Sequence, residues 1–301
     1  MKHSLKDIRI GTMVKANKPD AAQYVKQILP LGFESVQPFF WQTLGEVDVV
    51  RLAGELREAI TAHDVTISSL AMFGNPLEET PMDQQTLKGW EVLIDNVHLF
   101  GTNLITGFTG RVRGKPLPQS LPRFKEIWSR LAKRAQDKGV RIAFENCAME
   151  GNWASGDWNI AHNPDAWEMM FNEVPASNLG LEWEPCHQLV YLIDPIPQIH
   201  KWADKIFHVH GKDATVRWDV IGEHGIFGKH PFVQMRTPGF GDSDWTRVIS
   251  ELRLAGYKGS IDIEGWHDPV YRDELEMTGQ VRALNYLKEC RGGANFIANP
   301  V

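Results

Sequence analysis

The chain has 301 residues, 43% of them hydrophobic, so it can bury a sizeable core and is not a disordered polymer. Its 32 Lys and Arg against 38 Asp and Glu give a net charge of −6, which provides no electrostatic ground for binding a phosphate backbone. Three scattered cysteines, Cys147, Cys186 and Cys290, make neither a disulfide framework nor a CxxC metal site, and neither a signal-like apolar core in MKHSLKDIRIG nor a membrane-length apolar run is visible; a cytoplasmic protein without membrane attachment is expected.

In chain order, the apolar segment IRIGTMV precedes a helical pattern in AAQYVKQILPLG. The succession then repeats: ESVQPFF with VVRLAGELREAITAHD, VTISSLAMF with QTLKGWEVLIDNVHLFG, and TNLITGF with RFKEIWSRLAKRAQDKG. RIAFE is followed by PDAWEMMFNEV, NLGLEW by PIPQIHKWAD, KIFHVH by SDWTRVISELRLAG, and GSIDIE by ELEMTGQVRALNYLKEC. Eight strand-helix units in this length predict a single (β/α)8 TIM barrel over residues 1–293, with an open α/β sheet as the competing arrangement. No GxGxxG or Walker A pattern supports a nucleotide fold. Residues 294–301, ANFIANPV, read as a tail whose hydrophobic side chains pack on the barrel or on another subunit, and a homodimer or homotetramer is compatible with that.

Ligands of such barrels gather at the C-terminal ends of the strands. Glu145 ends RIAFE, Glu182 and Glu184 end NLGLEWE, His208 and His210 end KIFHVH, and Glu264 ends GSIDIE. One Glu at a strand end is an ordinary hydrogen-bond acceptor, but four successive strands ending in carboxylate or imidazole predict a divalent-cation site. Alternation leaves each doublet open, since His208 and His210 share a face, as do Glu182 and Glu184. His187 in WEPCH, with Lys212 and Arg236 on the long connection after the seventh strand, offers groups for a polar substrate, while Asp244 or Ser243 reads as a helix cap. Trp153 and Trp158 lie in the polar loop GNWASGDWNIAHN and suit an apolar cover over a ligand, with His162 or Asn159 touching it. Trp167 is expected in the core, and Phe39, Phe40 and Trp41 either line the opposite rim or pack.

The segments FEN, WEPCH, HVHGKD, RTPGFGDSDW and IDIEGWHDP together resemble the metal-dependent xylose isomerase-like sugar isomerase and epimerase superfamily, in the branch of D-tagatose 3-epimerase and inosose-processing enzymes. The resemblance implies Glu145, Glu184, His210 and Glu264 as metal ligands, His187, Arg236 and Lys212 as substrate contacts, and supporting roles for Glu182 and His208. Glu184 stands where such enzymes commonly carry Asp, and IEGWHDP places its histidine further from the glutamate.

The implied ion is Mn2+, with Mg2+, Co2+ or Zn2+ as alternatives and Cys186 outside the site. The implied activity is isomerisation or epimerisation of a ketose, keto-sugar or keto-cyclitol through an enediolate, with Glu145 and Glu264 handling the proton. The same groups suit a keto-sugar lyase or dehydratase, including one that cleaves a 3-keto-glycoside; a sugar-binding protein is the non-enzyme alternative. The substrate is then a small carbohydrate or cyclitol, and the acidic chain argues against a nucleic-acid enzyme on the same fold.

Overall fold

A computed structural model describes residues 7–18, 20–295, 297 and 299–300. Eight parallel strands carry the architecture: β1 (Arg9–Lys15), β2 (Ser35–Trp41), β3 (Leu70–Phe73), β4 (Leu104–Gly107), β5 (Arg141–Glu145), β6 (Leu179–Trp183), β7 (Ile206–Gly211) and β8 (Ser260–Ile263). They pair in sequence order, with β1 against both β2 and β8, so the ring closes and the chain is a (β/α)8 barrel and not an open sheet.

The principal helices are α1 (Ala21–Ile28), α2 (Val49–Ile60), α3 (Pro81–Asn96), α4 (Leu121–Gln136), α5 (Pro164–Glu173), α6 (Pro195–Lys201), α7 (Trp245–Leu254) and α8 (Glu276–Cys290). Their starts derive from short polar side chains: Asp48, Asn163, Asp194 and Asp244 each accept a backbone N–H of the first turn. Thr80 and Asp83 form a reciprocal capping box at the start of α3. At the other end of α7, Gly256 takes φ 83°, and its N–H closes on the Arg253 carbonyl at 2.9 Å, returning the chain toward β8.

The chain comprises two compact units. In the larger, Met13–Trp183 with Asp204–His208, an aromatic cluster packs between helices and strands. Trp128 meets Trp90 edge-on at 4.9 Å and Phe144 at 4.6 Å, and all three are fully buried; such contacts add about 1 kcal/mol each beyond the area they remove from water. Trp167 is likewise fully buried, its indole N–H donating to Ala161 O at 2.6 Å.

In the other unit, β8 pairs with β1 through Ile10 and Ile261, and with β7 through Val209 and Ile261, over the buried Trp245, Leu252, Leu284 and Leu287. The long connection after β7 is more ordered than its composition suggests. Asp213–Val216 and Val233–Arg236 form an antiparallel hairpin, and Trp218–His224 is a short helix between them. Of the carboxyl-terminal residues, Ile297 is 87% exposed and does not pack on the barrel, while Phe296 and Val301 lie outside the described residues. Among the described residues no helix is long and apolar enough to cross a membrane.

Candidate metal centre

Glu145 is the last residue of β5, and its partner in the parallel register is Glu182 of β6. Two carboxylates at one level on neighbouring strands repel unless each finds its own partners. Glu182 finds them in the larger unit. Gln37 Nε2 donates to its Oε1 at 2.5 Å, and His208 Nδ1 lies 3.0 Å from the same oxygen. Gln37 also donates to Ser69 Oγ at 2.9 Å and Thr106 Oγ1 at 3.0 Å, so these buried groups form one polar layer.

Glu184 comes directly after β6 at the head of the short helix Pro185–Val190, but its carboxylate makes no capping bond there. Its Oε1 instead lies 2.8 Å from Nε2 of His187, three residues on and 1% exposed. His187 Nε2 is also 3.5 Å from Lys212 Nζ.

His210 and Glu264 come together because β7 and β8 are paired, with Asp262 in register with His210. Glu264 Oε2 lies 3.6 Å from His210 Nδ1; its Oε1 accepts from Lys212 Nζ at 2.9 Å and lies 2.9 Å from His267 Nε2. Burial disfavours the charge on Glu264, but the Lys212 ammonium, then His267 and His210, outweigh that and hold its carboxyl well below the usual carboxylate range. Glu264 is therefore anionic at neutral pH, and its buried Oε2 accepts no hydrogen bond among the described residues.

Glu184, His210 and Glu264, which belong to one unit, are all buried, and each offers a ligating atom within 4.8 Å of the others'. Two carboxylates gathered this closely out of water cost several kcal/mol each without compensating charge. Lys212 supplies one positive charge to Glu264, and a divalent cation suits this pair of carboxylates and the Glu264 Oε2, which accepts no hydrogen bond among the described residues. An oxygen-rich set with one imidazole fits a hard or borderline divalent ion. Cys186 is buried and belongs to no such group among the described residues.

Arg236, the cation expected at the substrate, ends the hairpin, and its Nε donates to Asp268 Oδ2 at 3.0 Å. That buried carboxylate also accepts from the backbone N–H groups of Thr237, Val270 and Tyr271. Trp153 is 40% exposed; Trp158 is half-buried and packs on Trp41 with ring centroids 5.6 Å apart. His162 is fully buried, and burial pushes its pKa down to about 4, so the ring is neutral.

Asn159, expected as an alternative ligand contact, has its amide committed to the backbone. Nδ2 donates to Glu145 O and Cys147 O at 2.7 Å each, and Oδ1 accepts from Thr109 N and Oγ1. The displaced histidine of IEGWHDP is visible in the sequence, but sequence reasoning assigns no role to His267 or Asp268. The signal was the HDP of IEGWHDP: His267 stands three residues after Glu264, and Asp before Pro is a turn former.

Residues 25–290 match the family described as xylose isomerase-like TIM barrel. The chain is 22% identical over 262 residues to the uncharacterized protein YfiH of Bacillus subtilis (strain 168), covering 76% of this chain and 80% of that one. It is 26% identical over 170 residues to inosose dehydratase of Clostridium beijerinckii (strain ATCC 51743 / NCIMB 8052), covering 54% of this chain and 52% of that enzyme, about half of its length. The crystal structure of 3-keto-D-glucoside 4-epimerase from E. coli superposes with a TM-score of 0.69 at 16% identity, covering 94% of this chain and 100% of that one. With the family match extending over most of its length and the closed eight-stranded ring, the chain belongs to the xylose isomerase-like TIM-barrel family.

Proposed function

We propose that the protein is a divalent-metal-dependent isomerase or epimerase of a ketose, keto-sugar or keto-cyclitol. The observation that carries this reading is the convergence of Glu184, His210 and Glu264 within 4.8 Å. A cation held by these three, with Glu145 as the proposed fourth ligand and Mn2+ as first choice, would supply Lewis-acid polarisation of a carbonyl and its neighbouring hydroxyl. Glu145 and Glu264 divide the proton traffic: one carboxylate takes the proton from the carbon beside the carbonyl, and the other carboxyl returns one to the opposite face. Glu264 suits the accepting role because Lys212 and His267 keep it ionised through Oε1 and leave Oε2 without a hydrogen bond.

Substrate hydroxyls fall to His187, Lys212 and Arg236, with Trp153 and Trp158 as apolar cover. Asp268 holds the Arg236 guanidinium through Nε, so the terminal nitrogens are presented in a fixed direction. Metal analysis, with a panel of ketoses, keto-inositols and 3-keto-glycosides monitored for isomer formation and solvent deuterium uptake, tests the reading. Isotope uptake beside the carbonyl with product formation supports it, and a metal-free protein inert to the panel overturns it.

A keto-sugar dehydratase or lyase is the second reading, favoured by the similarity to inosose dehydratase over 170 residues. Both reactions begin with the same proton removal, but elimination then expels a leaving group where epimerisation returns a proton. Release of water or of an alcohol from the same panel separates the two.

A further inference from the structure

Resting on that reading, we infer that Trp41 and Trp158 form a stacking subsite for a second ring, and that the substrate is a glycoside of a keto-sugar and not a free monosaccharide. The juxtaposition lies wholly within the larger unit. Phe39 and Trp41 belong to the end of β2, Phe73 ends β3 and Phe108 comes directly after β4. Centroid distances are 6.0 Å for Phe39 and Phe73, 5.0 Å for Phe73 and Phe108, and 6.4 Å for Trp41 and Phe108. Trp158 adds the fifth ring, 5.6 Å from Trp41 and tilted by 37°.

Exposure is graded across this cluster. Phe73 and Phe108 are buried, whereas Trp41 is 38% exposed and Trp158 is half-buried. A pair of large indoles left partly in water beside a buried aromatic backing forfeits hydrophobic stabilisation, which single scattered apolar residues on a surface do not explain. None of the five side chains carries a charge or a carboxylate. The surface therefore favours a ring face, through the C–H face of a pyranose or the π face of an aromatic aglycone, with only the two indole N–H groups to meet a hydroxyl.

The backbone beside both indoles is held in place before any ligand arrives. Trp158 stands between two anchored residues. Asp157 Oδ1 accepts from Gly114 N at 3.0 Å and its carbonyl from Asn75 Nδ2 at 2.9 Å, while Asn159 grips the carbonyls of Glu145 and Cys147. The buried Arg111 guanidinium secures the same loop by donating to Asn152 O at 2.7 Å. After Trp41 the backbone turns through Gln42 at φ 62°, a costly conformation for a non-glycine residue. That turn is fixed by Gln42 N to Phe73 O at 2.6 Å and by Thr86 Oγ1 donating to Gln42 O at 2.5 Å. A pre-set backbone lowers the ordering cost of binding. The platform also adjoins the proposed chemistry, because Asn159, the neighbour of Trp158, binds the carbonyl of Glu145 itself.

The test uses the full-length, Mn2+-loaded protein and three substrates: 3-keto-glucose, a 3-keto-disaccharide and the 3-keto derivative of phenyl β-D-glucoside. The readout is kcat/KM for deuterium uptake beside the carbonyl. Two-ring substrates are expected to exceed 3-keto-glucose by about tenfold or more, a factor of ten being about 1.4 kcal/mol. The disaccharide and the phenyl glucoside report which kind of ring is preferred. In Trp158→Ala and in Trp41→Ala the ratio is expected to fall toward one. A wild-type ratio near one, or a ratio unchanged in both variants, overturns the subsite. If no substrate of the panel exchanges, the proposed activity fails by itself. The subsite is then judged by calorimetric titration with unreactive phenyl and methyl β-D-glucosides: tighter binding of the phenyl compound that is lost in Trp158→Leu supports it, and equal binding overturns it.

Discussion

The ammonium of Lys212 and the carboxylate of Glu264 form a buried ion pair, Nζ to Oε1 2.9 Å, on neighbouring strand ends. Removing one member of such a pair leaves the other charge buried and uncompensated. Lys212→Met is therefore expected to destabilise the chelator-treated protein by about 3 kcal/mol in urea unfolding at neutral pH. The pH dependence has a definite sign. The folded Glu264 carboxyl is held below its unfolded value, so its contribution is complete above the unfolded value and is lost as pH falls through the folded one. In Lys212→Met that acid-side loss should shrink; an unchanged stability and acid limb would mean that the pair does not act as described.

Removal of the ion should abolish turnover, and Mn2+ should restore it. Glu184→Ala takes away one of the proposed donors and is expected to weaken Mn2+ binding by at least about tenfold. His187→Ala should retain more metal than Glu145 or Glu264 variants, because His187 is not among the proposed donors, and should instead raise KM. Elemental analysis after gel filtration measures the metal retained, and initial rates over a substrate series give KM. Full activity in verified metal-free protein rejects the mechanism.

The eight strand-helix units were legible because hydrophobic spacing switches between two and 3.6 residues each time, with polar caps and glycines at the joints. The charged strand ends were legible for a related reason: a carboxylate ending an apolar run, as in RIAFE, cannot be core and has only the barrel mouth to occupy. What periodicity could not separate were the doublets. Glu182 and Glu184 alternate alike, and only the contact of Glu182 with Gln37, 145 residues away in sequence, assigns it to the interior polar layer. The role of His267 was hidden for a local reason. Trp266 adopts φ 37°, a left-handed turn that no pattern rule assigns to tryptophan, and the turn brings the next side chain back to Glu264.

A test of the scaffold away from the site concerns Asp83, which joins the capping box of α3 and receives Arg113 at 2.8 and 2.6 Å. Burial works against its charge, but Arg113 and then Thr80 outweigh it and hold the carboxyl below its ordinary range. Asp83→Asn is expected to cost about 2 kcal/mol at neutral pH. The deficit relative to the wild type is fully present above the unfolded aspartate value of about 4 and should fade as pH falls through the lower folded value. Thermal unfolding between neutral and acid pH measures it, and a deficit independent of pH removes the charge from the explanation.

Catalysis can be separated from metal loss at the two glutamates. Glu145 and Glu264 are proposed both to hold the ion and to move the proton, so loss of turnover in either variant is ambiguous by itself. Glu145→Gln and Glu264→Gln keep the side-chain size and remove the anionic acceptor. Each is to be measured at saturating Mn2+, with occupancy established independently by elemental analysis. Under those conditions both should show little product. In an epimerase that uses two faces, the variant lacking the accepting carboxylate should lose solvent exchange of the proton beside the carbonyl, whereas the variant lacking only the returning acid can still wash that proton out without inversion. The ionised state of Glu264 and the bare Oε2 assign the first behaviour to Glu264→Gln. Normal exchange and normal turnover in both metal-loaded variants would end the two-glutamate mechanism while leaving the fold and family untouched.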